Sequence, residues 1–85
     1  MTSEAPADVV GRIRGFVTSR FPLARERAVD DETSLLDTGI VDSLGILDLV
    51  TFLEDTFSVK VDDEELNPEN FESIAALVRF VEAKR

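Results

Sequence analysis

Cysteine and histidine are both absent from the 85 residues. Without cysteine the chain can form neither a disulfide nor a thiolate metal site. Without histidine it has no Ser-His-Asp hydrolase, no imidazole proton relay and no imidazole metal ligand. Long apolar runs are missing too, since none approaches the roughly 20 residues that would cross a bilayer. The opening Met1-Thr2-Ser3-Glu4 has no basic segment leading into an apolar stretch. These absences lead to the expectation of a soluble, cytoplasmic chain with no secretory signal, no metal centre and no catalytic residues.

Basic residues are scarce, nine Lys and Arg against eighteen Asp and Glu, giving a net charge of -9. From Ala28 to Val59 there is none, whereas Asp30, Asp31, Glu32, Asp37, Asp42, Asp48, Glu54 and Asp55 all fall there. Nucleic acid and anionic membrane both need Lys and Arg to displace counterions, so neither is an expected partner. Basic protein surfaces are. The plainer reading, that acidity serves only solubility, fits a concentrated acidic stretch less well. Carboxylate-only acid–base chemistry has little support, because runs such as Asp30-Asp31-Glu32 and Asp62-Asp63-Glu64-Glu65 are ordinarily solvated. A calcium loop fails as well, since Asp62 to Ser73 lacks the central glycine and the alternating ligands.

What is present is a globular balance, 44% apolar and 32% charged, with enough apolar surface to offset chain entropy. One domain, residues 1–85, is expected. Its apolar spacing is helical throughout. Val9, Val10, Ile13, Phe16 and Val17 share an arc at 100° per residue, predicting a helix from Pro6 to Arg20 with Gly11 and Gly15 on its other side. Phe21 to Val41 reads as a long irregular connection, pinned to the core by Leu35, Leu36 and Ile40, with Gly39 free to adopt a positive φ. A second helix runs from Asp42 to Phe57. Its core face carries Ile46, Leu49, Val50, Leu53 and Phe57, flanked by Leu47 and Phe52. Leu44 falls instead among Asp48, Thr51 and Asp55.

Farther on, Val61, Leu66 and Phe71 read as inward anchors, and Asn67-Pro68 suits the start of a short helix. Ser73 can cap a last helix whose face is Ile74, Leu77, Val78 and Val81, with Lys84 and Arg85 complementing the dipole at its end. The expected fold is all-α: a small four-helix bundle of three main helices and one short one.

One segment does not read as generic packing: Asp37-Thr38-Gly39-Ile40-Val41-Asp42-Ser43-Leu44-Gly45, where the acidic loop meets the second helix. Asp42 or Ser43 could simply cap that helix by accepting free backbone N–H groups. Alternatively, the same amides and partial positive charge would accommodate a phosphodiester on the Ser43 hydroxyl.

Asp42-Ser43-Leu44 between an acidic loop and an acidic, Leu-rich helix resembles the attachment motif of acyl carrier proteins. Length, helix order, long first loop and short third helix extend that resemblance over nearly the whole chain. It implies that Ser43, with Asp42 as motif partner, receives a covalent 4'-phosphopantetheine arm from coenzyme A. It further implies a phosphopantetheinyl transferase, an acyl- or aminoacyl-adenylating ligase, and a downstream acyltransferase, synthase or tailoring enzyme as partners of a monomeric carrier. Leu44, Asp48, Thr51 and Asp55 would be the docking residues.

Within the family, Gly39-x-x-Asp42-Ser43-Leu44-Gly45 is most similar to stand-alone carriers loaded by adenylating enzymes. Asn67-Pro68-Glu69-Asn70-Phe71 resembles discrete natural-product carriers more than D-alanyl carriers. A fatty-acid or D-alanyl carrier is the alternative within the family. An unmodified acidic helical interaction module is the alternative outside it.

Overall fold

The computed structural model describes residues 6–84. The readings of Met1–Glu4 and of Arg85 lie outside them. Helix α1 spans Pro6–Arg20 as its spacing predicts, with Val9, Ile13 and Val17 buried along one stripe. Proline 22 then forces its predecessor out of helical geometry. Phe21 is extended at φ -119°, ψ 95°, and Pro22 sits in the first turn of a new helix, α2, Pro22–Glu26. This corrects the irregular reading from Phe21 onward. A helix of five residues, of which only Ala24 is buried, is too short to show an apolar period. Ala28 ends it in the left-handed region at φ 50°, and the Val29 N–H reaches back to the Ala24 carbonyl at 3.2 Å.

The remaining connection is ordered by specific bonds. Leu35, Ile40 and Val41 are buried, and Leu36 packs against the core from a half-buried position. The Leu35 N–H donates to the Glu72 carbonyl at 2.6 Å, and the Ala75 N–H donates to the Asp31 carbonyl at 2.9 Å, tying the loop to the far end of the chain. Arg14 holds it from the other side, donating to the Val29 carbonyl at 2.8 Å and pairing with Asp31. Asp30 closes a local turn by accepting from the Thr33 hydroxyl and the Glu32 N–H. Those bonds hold its carboxyl below the usual carboxylate range. Gly39 adopts φ 78°, as its place in the loop requires.

Helix α3, Ser43–Phe57, carries the site. Gly45, Leu49 and Leu53 face the interior; Ile46, Val50, Phe52 and Phe57 are half-buried against it. Leu47, expected at the flank of the core, is 56% exposed. It lies about 160° from Leu49 at 100° per residue, so a core centred on Leu49 turns it to solvent. Ile46, expected as core, is only partly covered for the related reason that it sits at the edge of this narrow buried face.

After a left-handed Ser58, a 3-10 turn, Asp63–Glu65, and a short helix α4, Pro68–Phe71, lead to α5, Ile74–Lys84. Leu66, expected inward, closes the 3-10 turn at φ -82°, ψ 54° and is 40% exposed, whereas Phe71 is fully buried. The Asn67 side chain does not cap α4; it donates to the Glu64 carbonyl. Ser73 does cap α5, its hydroxyl accepting the Ala76 N–H at 3.0 Å. Helix α1 packs on α2 and α5, and α4 packs on α5. Ile74, Leu77 and Val81 bury the α5 face, joined by Ala76 and Phe80, while Val78 is half-buried. The bundle thus has the three long helices and the short α4 read from the sequence, plus a second short helix, α2; among the described residues there is no strand. No helix there is long and apolar enough to cross a membrane.

Candidate functional site at the start of the third long helix

The Asp42–Ser43 junction resolves which residue caps α3. Asp42 is extended at φ -107°, ψ -170°, and its Oδ1 accepts the Gly45 N–H at 2.9 Å, while its carbonyl accepts the Ile46 N–H at 3.0 Å. Asp42 is therefore the N-cap. Ser43, the first helical residue, is exposed, and among the described residues its hydroxyl makes no hydrogen bond. The amides of Ser43 and Leu44 also lack partners there, as expected for the first turn of a helix. An anion joined to the Ser43 oxygen would meet unpaired N–H groups and the positive end of the helix dipole.

Other serines contrast with it. Ser34 accepts the Asp37 N–H at 3.1 Å, and Ser73 is buried and engaged as the α5 cap. Ser58 is exposed like Ser43 but closes α3 at its other end, where the dipole repels an anion. The two ends of one helix thus hold the two serines in opposite electrostatic settings. The dipole would favour a phosphodiester at the Ser43 end and oppose one at the Ser58 end.

The expected docking residues lie on one outward stripe. Leu44 is 73% exposed, and Thr51 and Asp55 are exposed below it. Asp48 is on the same side but engaged, accepting from Arg20 Nη2 at 2.7 Å across to α1. An open groove of about 380 Å³ runs between α1 and α3, bringing Asp48, Thr51 and Asp55 together with Phe16, Arg20 and Phe52. Its floor is the Phe16–Phe52 stack, centroids 4.2 Å apart and rings 12° from parallel. Leu44 is not part of the groove lining.

Two neighbours were not singled out as site residues from the sequence. Leu47 stands exposed beside Leu44, and a wheel centred on Leu49 would have found it. Gly45 enters the sequence reading only as the last residue of the Gly39-x-x-Asp42-Ser43-Leu44-Gly45 motif. In the structure, a Cβ built on it would lie 2.8 Å from Phe21 Cε1 and 2.9 Å from Val41 Cγ1. Nothing in the sequence announces that contact, because Phe21 is 24 positions away. No cluster of carboxylates suited to a metal ion occurs among the described residues.

Comparison with known proteins points the same way as this geometry. Residues 12–81 match the family described as "Phosphopantetheine attachment site". The chain is 32% identical over 66 residues to "Probable acyl carrier protein PigG" of Serratia sp. (strain ATCC 39006), covering 78% of this chain and 76% of that one. It is 35% identical over 51 residues to the D-alanyl carrier proteins of Streptococcus pyogenes serotypes M5 (strain Manfredo) and M1, covering 60% of this chain and 65% of theirs, just under two thirds of their length. With most of its length matched, from within α1 to the last turns of α5, this chain belongs to the phosphopantetheine-binding acyl carrier protein family.

Proposed function

We propose that Ser43 is the residue that holds the phosphopantetheine arm of this carrier. The observation that supports it most directly is the division of labour at the α3 start: Asp42 takes the cap, leaving the Ser43 hydroxyl exposed and unpartnered at the positive end of the helix. In the attachment step the Ser43 oxygen forms a bond to the pantetheine-side phosphorus of coenzyme A. The pyrophosphate P–O bond breaks, adenosine 3',5'-bisphosphate leaves, and the hydroxyl proton passes to a base on the transferase. A base on the transferase fits a chain that has no histidine and whose nearest carboxylate, Asp42, is engaged as the helix cap. When bound, the arm supplies the thiol on which an acyl or aminoacyl group is carried as a thioester. Asp42 keeps the first turn formed, and the unpaired Ser43 and Leu44 amides would be available to the phosphodiester.

Leu44, Asp48, Thr51 and Asp55 are proposed to meet the transferase, an acyl- or aminoacyl-adenylating ligase and the enzyme that consumes the cargo. The chain acts as a single-domain, monomeric cytoplasmic carrier with no catalysis of its own. Its setting is that of a discrete biosynthetic carrier of a natural-product pathway. Against the D-alanyl alternative, the acyl carrier protein of Serratia aligns over a larger share of both chains than the D-alanyl carriers do. Intact mass after incubation with coenzyme A and a broad-specificity phosphopantetheinyl transferase tests the reading. Wild type should gain one arm and Ser43→Ala none. Equal gain by both proteins would exclude Ser43.

A further inference from the structure

Gly45 sits in the first turn of α3, two residues beyond Ser43, and is buried. A Cβ at this position would stand 2.8 Å from Phe21 Cε1, 3.1 Å from Phe21 Cζ and 2.9 Å from Val41 Cγ1, distances that real Cβ atoms essentially never show for the first and third. The two walls belong to different parts of the chain, one to the α1–α2 junction and one to the loop entering α3.

Neither wall is free to give way. Phe21 is buried, its N–H donates to the Val17 carbonyl at 3.0 Å, and its ring stands edge-on to Phe16 with centroids 6.3 Å apart and an interplanar angle of 85°. The Arg20 guanidinium covers the ring at 5.8 Å. Val41 is buried, and its N–H donates to the Leu35 carbonyl at 3.0 Å. Conformational need does not explain the glycine, because Gly45 is helical and only Gly39 among the glycines has a positive φ. Close approach does.

On the helix, Gly45 and Ser43 lie about 160° apart at 100° per residue. The depth to which Gly45 seats between Phe21 and Val41 therefore sets how far Ser43 projects on the opposite side. Gly45 also donates the N–H that Asp42 caps, so any lift of the seat pulls on the cap as well.

We propose that Gly45 is a positioning residue for arm attachment: its bare Cα lets α3 seat against Phe21 and Val41, which fixes the Ser43 oxygen where the transferase brings phosphorus to it. This rests on Ser43 being the attachment residue. The step that depends on the placement is the formation of the Ser43 oxygen–phosphorus bond as adenosine 3',5'-bisphosphate departs. Misplacing a reacting atom by about 1 Å costs on the order of 10²-fold in rate. To bring the 2.8 Å approach out to ordinary contact a methyl group here has to open the seat by about 0.6 Å, a little over half of that displacement, so a drop of about tenfold is expected.

The test is steady-state kinetics of arm transfer from coenzyme A to the folded 85-residue protein. The variants are Gly45→Ala, Gly45→Ala with Phe21→Leu, Gly45→Ala with Val41→Ala, and Ser43→Ala as the site control, each with its folded fraction measured by circular dichroism. Gly45→Ala should lower kcat about tenfold per folded molecule with KM nearly unchanged, and shift the amide resonances of Ser43 and Leu44. At least one double variant should recover most of the kcat. Wild-type kcat in folded Gly45→Ala overturns the proposal, as does a loss that merely follows the folded fraction. If Gly45→Ala does not fold, the doubles decide: a folded double with wild-type kcat supports the seat, and folded doubles that both stay slow overturn it. An arm on Ser43→Ala would instead overturn the attachment site itself, a separate outcome.

Discussion

Arg20 Nη2 donates to Asp48 Oδ2 at 2.7 Å, so one of the acids on the outward stripe of α3 is already neutralised by α1, whereas Asp55, two turns farther on, makes no such bond among the described residues. The two acids should respond differently to charge reversal. Asp55→Lys should slow arm transfer and loading while leaving the urea midpoint unchanged. Asp48→Lys should also lower the midpoint, because it sets a like charge beside Arg20. Added salt should reproduce the Asp55→Lys effect, mostly in the on-rate, since exposed charges steer encounter only within a Debye length of about 8–10 Å. Loading kinetics that ignore both salt and Asp55→Lys would make the stripe a solubility feature.

The four apolar residues between Leu44 and Leu49 should separate cleanly in stability. Leu44→Ala and Leu47→Ala remove exposed side chains and should change stability by less than about 0.5 kcal/mol. Leu49→Ala empties a fully buried site and should cost about 2–5 kcal/mol. Half-buried Ile46 should fall between them. Urea melts give the ranking, and a parallel arm-transfer assay should show Leu44→Ala slowed despite its stability. A badly destabilised Leu44→Ala would contradict the helix register.

Lys84 Nζ donates to both Glu65 oxygens, at 2.9 and 3.1 Å, closing α5 onto the 3-10 turn. The Asp62 N–H and then Lys84 hold the Glu65 carboxyl below its ordinary value, and Glu65 raises Lys84 above its own. A depressed acid contributes stability that is present above its unfolded pKa and lost as pH falls through the folded one. A raised amine contributes stability that is present below its unfolded pKa and lost as pH rises through the folded one. The pair should therefore be worth most between the ordinary glutamate and lysine ranges and fade outside both. Lys84→Met should flatten the alkaline loss completely and the acid loss only in part, because the Asp62 N–H remains. Superimposable urea-midpoint profiles from pH 3 to pH 11, approximate limits chosen to bracket both groups, would contradict this.

Backbone conformation offers a further check. Ala28 pays a left-handed penalty at φ 50°, and it is exposed, so Ala28→Gly should stabilise by about 0.5–1 kcal/mol after glycine's own chain entropy is subtracted. Gly11 and Gly15 are the converse: helical, exposed and with open space where a Cβ would stand. Each Gly→Ala change there should stabilise by up to about 1 kcal/mol. Thermal melts measure all three, and a destabilised Gly11→Ala or Gly15→Ala would point to a contact outside the folded monomer.

The long helices were legible because apolar period and capping agreed: Val9, Ile13 and Val17 in α1, Leu49 and Leu53 in α3, and Ser73 before Ile74 in α5. Ser43 stood out only as one of two capping candidates at the start of α3, and the structure gives the cap to Asp42 and leaves Ser43 exposed. Short α2 was not, since one turn carries no period and Pro22 reads equally as a loop residue. Leu47 and Leu66 were misread inward because apolarity does not say which side of a chain its neighbours cover. The seat of Gly45 depends on Phe21, far away in sequence, and only packing reveals it.

Locating the arm on the chain decides whether Ser43 carries it. No Lys or Arg lies between Arg27 and Lys60, so trypsin releases Ala28–Lys60 as one peptide holding Ser34, Ser43 and Ser58. Fragmenting that peptide from modified wild-type protein should put the entire phosphopantetheine mass on Ser43. Finding it on Ser34 or Ser58, or on a peptide outside this stretch, would contradict the account.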